Sequence, residues 1–530
     1  MIRRHPTLSA TLILALAACA GPPVDEETAS PAPAAEVAWF EGGPDEAFAL
    51  ARAEGKPLFL YWGAEWCPPC HYLKEKIFSR PEFVARSRDF VAVYLDGDDA
   101  GAQVLGEQLD VQGYPTVMVY SAAGEELLRM PSDVPVARYA AILERALTLD
   151  RPIREILGAV LAAGPATAPA ADLDVLAYYS WGQDSQIELP EEELLPTFRR
   201  LWEETPAELA GVRARFLALY VGEAARRSRG AGEGEPPVLT AGERSRLTAA
   251  VTALLADVEL ARENVTDVLS GAAAAIAVLQ PAAGPERSAL AEAWREAALR
   301  FEADEELSTD DRLTATLTAI ELARLAAGDA EAPLPEALVA HVRQRVAWAI
   351  AATADGGELQ TVLNTAAYAL EQAGLPEEAE RLLADKQDET YAPYYFMSFR
   401  AGLESDAGRS AEAVALYRQA WQAAAGRYTR FRWGSTYLRR LMELAPDDVA
   451  AVRADSVAIF DELLTHDDAF ALGNYLRLGQ LETAYGAWNE DGSHDGVVDL
   501  VRDLVHAACD RYPAAGEDSQ RARCAAFLEG

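Results

Sequence analysis

Cys67 and Cys70 are separated only by Pro68 and Pro69, in the run Trp66-Cys67-Pro68-Pro69-Cys70. Two thiols spaced this way at the start of a helix can close into a small disulfide ring and reopen. The helix N-terminus favours a thiolate at the first of them. The chemistry this predicts is dithiol–disulfide exchange. Pro68 suits the first helical turn, because the N–H it lacks would have no intrahelical acceptor there. Half of a zinc site is the competing reading, but no second Cys-x-x-Cys or histidine pair supplies the other ligands.

Residues 37–150 hold the elements that must position the pair, alternating short apolar runs with helical patterns as a mixed α/β domain does. Asp45 to Glu54 predicts a helix stopped by Gly55. Leu58-Phe59-Leu60-Tyr61-Trp62 is apolar throughout and predicts a central strand just before the cysteines. Phe90 to Leu95 predicts a second strand and Thr116 to Tyr120 a third. Glu125 to Met130, beyond an Ala123-Gly124 turn, predicts the third strand's hairpin partner. Val136 to Leu149 closes the unit as an amphipathic helix, with Tyr139, Ile142, Leu143 and Leu147 on one side.

These residues resemble the thioredoxin superfamily, in particular bacterial periplasmic thiol–disulfide interchange domains such as the C-terminal domain of the membrane-embedded interchange reductase. The resemblance runs from about Glu36 to Asp150. It rests on Lys56-Pro57 before the strand, Gly63-Ala64-Glu65-Trp66 before the cysteines and Phe78-Ser79-Arg80-Pro81-Glu82-Phe83 after them. It also rests on Gly113-Tyr114-Pro115-Thr116, where the family places a cis-proline.

It implies that Cys67 attacks a substrate disulfide and Cys70 resolves the mixed disulfide. It further implies that Pro115, with Tyr114, presents backbone groups to a substrate strand, while Trp66 shields the pair. Ordinary packing for Trp66 and Tyr114, and a trans turn at Pro115, are the plain alternatives. Tyr61 stands where cytosolic thioredoxins carry a buried aspartate, leaving Glu65 or water as proton acceptor. His71 is either a surface histidine on the first helical turn or a group that tunes the pair between about pH 6 and 7. Pro68 and Pro69 offer Cys67 no N–H, so Cys70 is its main backbone donor. A poorly stabilised thiolate predicts a reductive rather than strongly oxidising pair.

The N-terminus predicts a compartment. Arg3 and Arg4 precede an apolar run, Leu8 to Ala18, too short to span a bilayer, which reads as a signal peptide over residues 1–18. Leu16-Ala17-Ala18-Cys19 resembles the bacterial lipobox, implying lipidation of Cys19; plain secretion is the alternative. Ala20 is not the aspartate associated with inner-membrane retention, which points to the outer membrane. Residues 19–36, rich in Pro, Ala, Glu and Asp, read as a tether in the cell envelope, facing the periplasm.

The chain has 530 residues, half of them hydrophobic, and 47 basic against 84 acidic residues, a net charge of −37. That balance excludes nucleic acid as a partner, which needs a basic footprint. Residues 151–171, with the Pro/Ala stretch Gly164 to Ala171, read as a linker, and residues 172–530 as a large all-α domain. Ser308-Thr309-Asp310-Asp311 marks one helix start. Ala373-Gly374-Leu375-Pro376-Glu377-Glu378-Ala379 recurs 34 residues on as Ala407-Gly408-Arg409-Ser410-Ala411-Glu412-Ala413, a period resembling tetratricopeptide repeats. A helical solenoid is one reading and a non-repeating bundle the other. Cys509 and Cys524 are either a structural disulfide or two buried thiols. Asp491 to Gly496 begins like a calcium loop, but Arg502 stands where a bidentate glutamate is needed, so no metal site is expected.

Together these features predict an envelope thiol–disulfide oxidoreductase with a thioredoxin-like head and no cofactor. Its expected partners are envelope proteins with cysteines or disulfides, a redox partner protein and the membrane lipid. Two other readings are a helical binding scaffold with an accessory head and a disulfide oxidase.

Overall fold

The apolar run after Lys56-Pro57 forms strand β1 (Leu58–Gly63), buried at every position. It is central in a four-stranded sheet of order β2-β1-β3-β4, with β2 (Val91–Asp96), β3 (Thr116–Tyr120) and β4 (Glu126–Met130). β2 runs parallel to β1, pairing Leu60 with Val93; β3 is antiparallel to β1, pairing Leu60 with Met118, and β3 and β4 form a hairpin. Side chains alternate between the faces of a strand, so both faces of β1 are apolar. Leu58, Leu60 and Trp62 enter one core under helix α1 (Pro44–Glu54), while Phe59 and Tyr61 enter another. α1 ends at Gly55, whose φ of 65° is the left-handed turn that glycine makes without steric cost.

The computed structural model describes residues 36–131, 136–183, 186–187, 189–230, 236–354, 356–514 and 519–529. The signal segment, Cys19 and nearly all of the tether lie outside the described residues. β1 feeds helix α2 (Pro68–Leu73), which continues through a five-residue π segment, Lys74–Phe78. Helices α3 (Pro81–Arg86), α4 (Ala102–Gln108) and α5 (Val136–Ala146) complete the head.

The segment read as a linker is instead structural. Residues 153–163 form helix Ile153–Ala163, whose Ile153, Ile156, Leu157 and Val160 are buried in the core that contains Phe59 and Tyr61. Its Pro and Ala content resembles a linker, but these four apolar residues at helical spacing supply a buried face. That core runs on through the helical region to Phe527. From Val37 onward the chain is one unit rather than a head joined to a separate tail.

The 34-residue spacing corresponds to two helix pairs, Gly356–Gln372 with Pro376–Lys386 and Pro393–Asp406 with Ser410–Ala423. Both turn on left-handed glycines, Gly374 at φ 76° and Gly408 at φ 74°. Ser308 caps helix Thr309–Ala327, accepting from the Asp311 N–H at 3.0 Å. Cys509 and Cys524 are bridged, tying the turn Cys509–Arg511 to helix Gln520–Ala526. Among the described residues no helix is long and apolar enough to cross a membrane.

Candidate active site

β1 delivers Cys67 to the N-cap of α2, where its extended backbone (φ −81°, ψ 111°) precedes the first helical turn. Pro68 and Pro69 occupy that turn, so the first N–H able to reach the Cys67 Sγ is that of Cys70, at 3.3 Å. Cys67 and Cys70 are joined in a disulfide with Cα atoms 5.2 Å apart. The Tyr61 hydroxyl donates to the Cys70 carbonyl at 3.3 Å, and burial pushes its ionisation far above the ordinary phenol range. Tyr61 therefore does not replace a carboxylate as proton acceptor. The Glu65 carboxylate, half exposed, lies 3.7 Å from the Lys74 ammonium.

His71 is not a surface residue. Only 3% exposed, it stacks on Tyr391 with ring centroids 4.8 Å apart, and its Nε2 lies 2.6 Å from the Glu65 carbonyl. Burial is the largest influence on it and lowers its pKa, so the ring is neutral at pH 7 and adds no positive charge beside Cys67. A histidine on the first turn of a short helix reads as exposed in sequence because Tyr391 arrives from 320 residues away.

The loop carrying the cis Tyr114–Pro115 peptide lies beside Trp66, with the Tyr114 and Trp66 rings 5.7 Å apart. Tyr114 also stacks on Trp62 at 6.0 Å and accepts a hydrogen bond from Gln103. The Pro115 carbonyl is already occupied by the Gln183 side-chain amide, which donates to it at 2.9 Å.

The helical region forms the other wall and covers the pair. Cys67 is 2% exposed and Cys70 fully buried. The Trp66 ring stacks on Tyr395 at 6.4 Å, meets Trp433 edge-on at 6.4 Å and carries the Arg432 guanidinium 4.2 Å above it. Gln360 donates to the Trp66 carbonyl at 3.4 Å and the Thr361 hydroxyl to the Pro68 carbonyl at 3.0 Å. Asp98, on the loop after β2, accepts from the Thr429 N–H at 2.7 Å and its hydroxyl at 2.6 Å, capping helix Arg427–Leu444 from the head. Desolvation outweighs these bonds and pushes the Asp98 carboxyl up to about 6.

The sequence thus brought together Cys67, Cys70, Trp66, Tyr114, Pro115, Pro68, Pro69 and His71, with Glu65 at the rim. It missed Gln183, Gln360, Thr361, Tyr391, Tyr395, Arg432 and Trp433. One signal was present: Tyr391-Ala392-Pro393-Tyr394-Tyr395-Phe396 and the run from Tyr428 to Tyr437 are far richer in aromatic residues than the chain average of 8%.

Comparison with known proteins agrees with this geometry. Residues 44–147 match the thioredoxin-like domain family. The thiol:disulfide interchange protein DsbD of Cronobacter sakazakii is 40% identical over 83 residues, 15% of this chain and 14% of that protein. DsbD 1 of Pseudomonas aeruginosa is 29% identical over 108 residues, 20% of this chain and 18% of that protein. The chain therefore spans less than a fifth of the length of these relatives. A solved structure, the DsbH oxidoreductase, aligns with 23% of this chain and 94% of its own at 24% identity, with a TM-score of 0.21. Residues 44–147 are a thioredoxin-like domain related to the thiol:disulfide interchange proteins, and a large all-helical region follows it.

Proposed function

We infer that this chain is a thiol–disulfide oxidoreductase that exchanges electrons with protein disulfides. The observation that carries this reading is the bridged Cys67–Cys70 pair on the first turn of α2, within a thioredoxin-like domain. In the reductive direction the Cys67 thiolate attacks one sulfur of a substrate disulfide. The other sulfur leaves as a thiolate and takes up a proton. Cys70, losing its proton, then attacks the Cys67 sulfur; the substrate leaves as a dithiol and the enzyme holds the Cys67–Cys70 disulfide. A redox partner protein restores the dithiol by supplying two electrons and two protons.

The reductive direction is supported by the single backbone donor at Cys67 and by the neutral His71. A weakly stabilised thiolate leaves the reduced pair ready to give up its electrons, whereas a strong oxidant depends on a stabilised reduced form. A reduction potential near the roughly −120 mV of the strongest oxidases overturns this direction.

A protein disulfide reaches a sulfur only 2% exposed after the helices at Gln360, Tyr395 and Trp433 separate from Trp66, and after Gln183 releases the Pro115 carbonyl. The same burial favours a second reading, a helical scaffold whose head is structural. Cys70→Ala separates the two. The oxidoreductase accumulates mixed disulfides at Cys67, which vanish in Cys67→Ala/Cys70→Ala; a scaffold retains the same partners without either sulfur.

The Leu16-Ala17-Ala18-Cys19 motif supports a lipid-anchored location in the bacterial envelope, where proteins with cysteines or disulfides are the substrates. Fatty-acid labelling that survives Cys19→Ala overturns the anchor.

A further inference from the structure

One cleft at the edge of the covered redox pair remains open. It has a volume of about 440 Å³ and lies between the head, at Trp62, Gln103 and Tyr114, and helices Arg427–Leu444 and Leu472–Trp488. Three arginines line it: Arg432, Arg477 and Arg523. Arg523 is paired with Glu107, and the remaining carboxylate of the lining, Asp110, accepts from Gln112 at 2.7 Å. Arg432 and Arg477 have no carboxylate partner among the described residues. Arg477 reaches only the Gln480 amide oxygen at 3.4 Å and the Tyr428 hydroxyl. The Arg432 Nε is buried without an acceptor.

Acidic residues outnumber basic ones 84 to 47, and most guanidinium groups find a carboxylate. Here two like charges share the helical wall of one cleft and repel: burial, and then Arg432, weaken the hold of Arg477 on its proton. Such a pair is costly in the free protein and complementary to an anion that bridges it. The rest of the lining mixes the amides of Gln103, Gln112 and Gln480 with apolar surface. Tyr475 and Leu476, on the same helix as Arg477, are 44% and 65% exposed, and the Tyr114 and Tyr428 rings lie 6.2 Å apart where head and helices meet. A lone inorganic anion leaves those surfaces uncovered, whereas a peptide covers them.

We propose that this cleft binds an extended acidic segment of the substrate protein, with Arg432 and Arg477 taking its carboxylates. This rests on the oxidoreductase reading and names the substrate class. Because Arg432 also lies over Trp66, a carboxylate that engages its guanidinium competes with the contact covering the redox pair.

The test uses two peptides of identical length, one with glutamates and one with glutamines flanking a central serine, titrated calorimetrically into the full chain. The wild-type protein binds the glutamate peptide about tenfold or more tightly, as charge-assisted hydrogen bonds require. Raising the salt concentration erodes the preference. Arg432→Gln/Arg477→Gln abolishes it and Arg432→Lys/Arg477→Lys keeps part of it. Equal binding of the two peptides by the wild-type chain overturns the proposal without any variant having to fold; so does a preference that survives the glutamine double substitution. Cystine-bridged versions of the peptides separate this from the parent reading. Reduction of both at equal rates sinks the cleft and leaves the oxidoreductase. Preferential binding without any exchange sinks the oxidoreductase and leaves an acidic-peptide site.

Discussion

Thr361 donates the hydrogen bond that holds helix Gly356–Gln372 to the turn between Cys67 and Cys70, through the Pro68 carbonyl. Thr361→Val keeps the side-chain shape and removes the donor. The Pro68 carbonyl then stays buried without that donor in the covered form and meets water only when the helix lifts away. That carbonyl keeps its intrahelical bond within α2, so the change removes one net hydrogen bond, about 0.5–1.5 kcal/mol. The uncovered population therefore rises by about twofold to twelvefold. The assay places the change in a Cys70→Ala background, reduces the protein and compares alkylation of Cys67 by a polymer-linked maleimide and by iodoacetamide. The polymer reagent reads uncovering, and its rate rises by the stated factor, while Thr361→Ser restores the slow rate. Equal polymer labelling of the Thr361→Val variant and its parent, or polymer labelling of the parent as fast as iodoacetamide, refutes the covered site.

Asp98→Asn mimics the protonated carboxyl. The folded pKa of Asp98 is raised from 3.8 to about 6, so the stability this residue contributes is full below about pH 4 and lost as the pH rises through about 6. The asparagine form gains up to about 3 kcal/mol at pH 7 and flattens that slope; a slope unchanged in chemical denaturation across this window counts against the assignment. Replacing both Cys509 and Cys524 with alanine removes a bridge between residues 15 apart, and the loss of loop constraint lowers unfolding free energy by about 3 kcal/mol. A denaturation midpoint that does not move argues that the bridge contributes nothing. Gly97→Ala drives a Cβ into the Tyr114 hydroxyl, forcing that ring off Trp62 at a cost of about 1–3 kcal/mol. An unchanged Tm contradicts this close approach.

The head was legible because its signals are local. An apolar run between Lys56-Pro57 and Gly63 is a central strand, and Cys67 and Cys70 define their own chemistry by spacing. The cover was not legible. Helical periodicity shows that a face is apolar but not which surface it meets, and the aromatic residues from Tyr391 to Tyr395 read equally well as an internal core. For the same reason His71 looked exposed and residues 151–171 looked like a linker. Arg129 is a further case. Fully buried, it donates to Glu126 at 2.7 Å and to the carbonyls of Asp110 at 2.8 Å and Gln183 at 3.0 Å. In sequence it was one basic residue near the end of the hairpin strand Glu126–Met130, with no local sign of its buried partners.

The long span between the head and the residues that close over it has a consequence for biosynthesis. Thr361 meets Pro68 across 293 positions, Thr429 meets Asp98 across 331 and Gly473 meets Gln103 across 370. At roughly 5–20 residues per second, a ribosome takes on the order of tens of seconds to add those later partners. For that interval Trp66 and the sulfur pair have been made while the residues that cover them have not. The newborn protein meets the thiols around it bare-faced, and acquires its discretion only when its last third has been made.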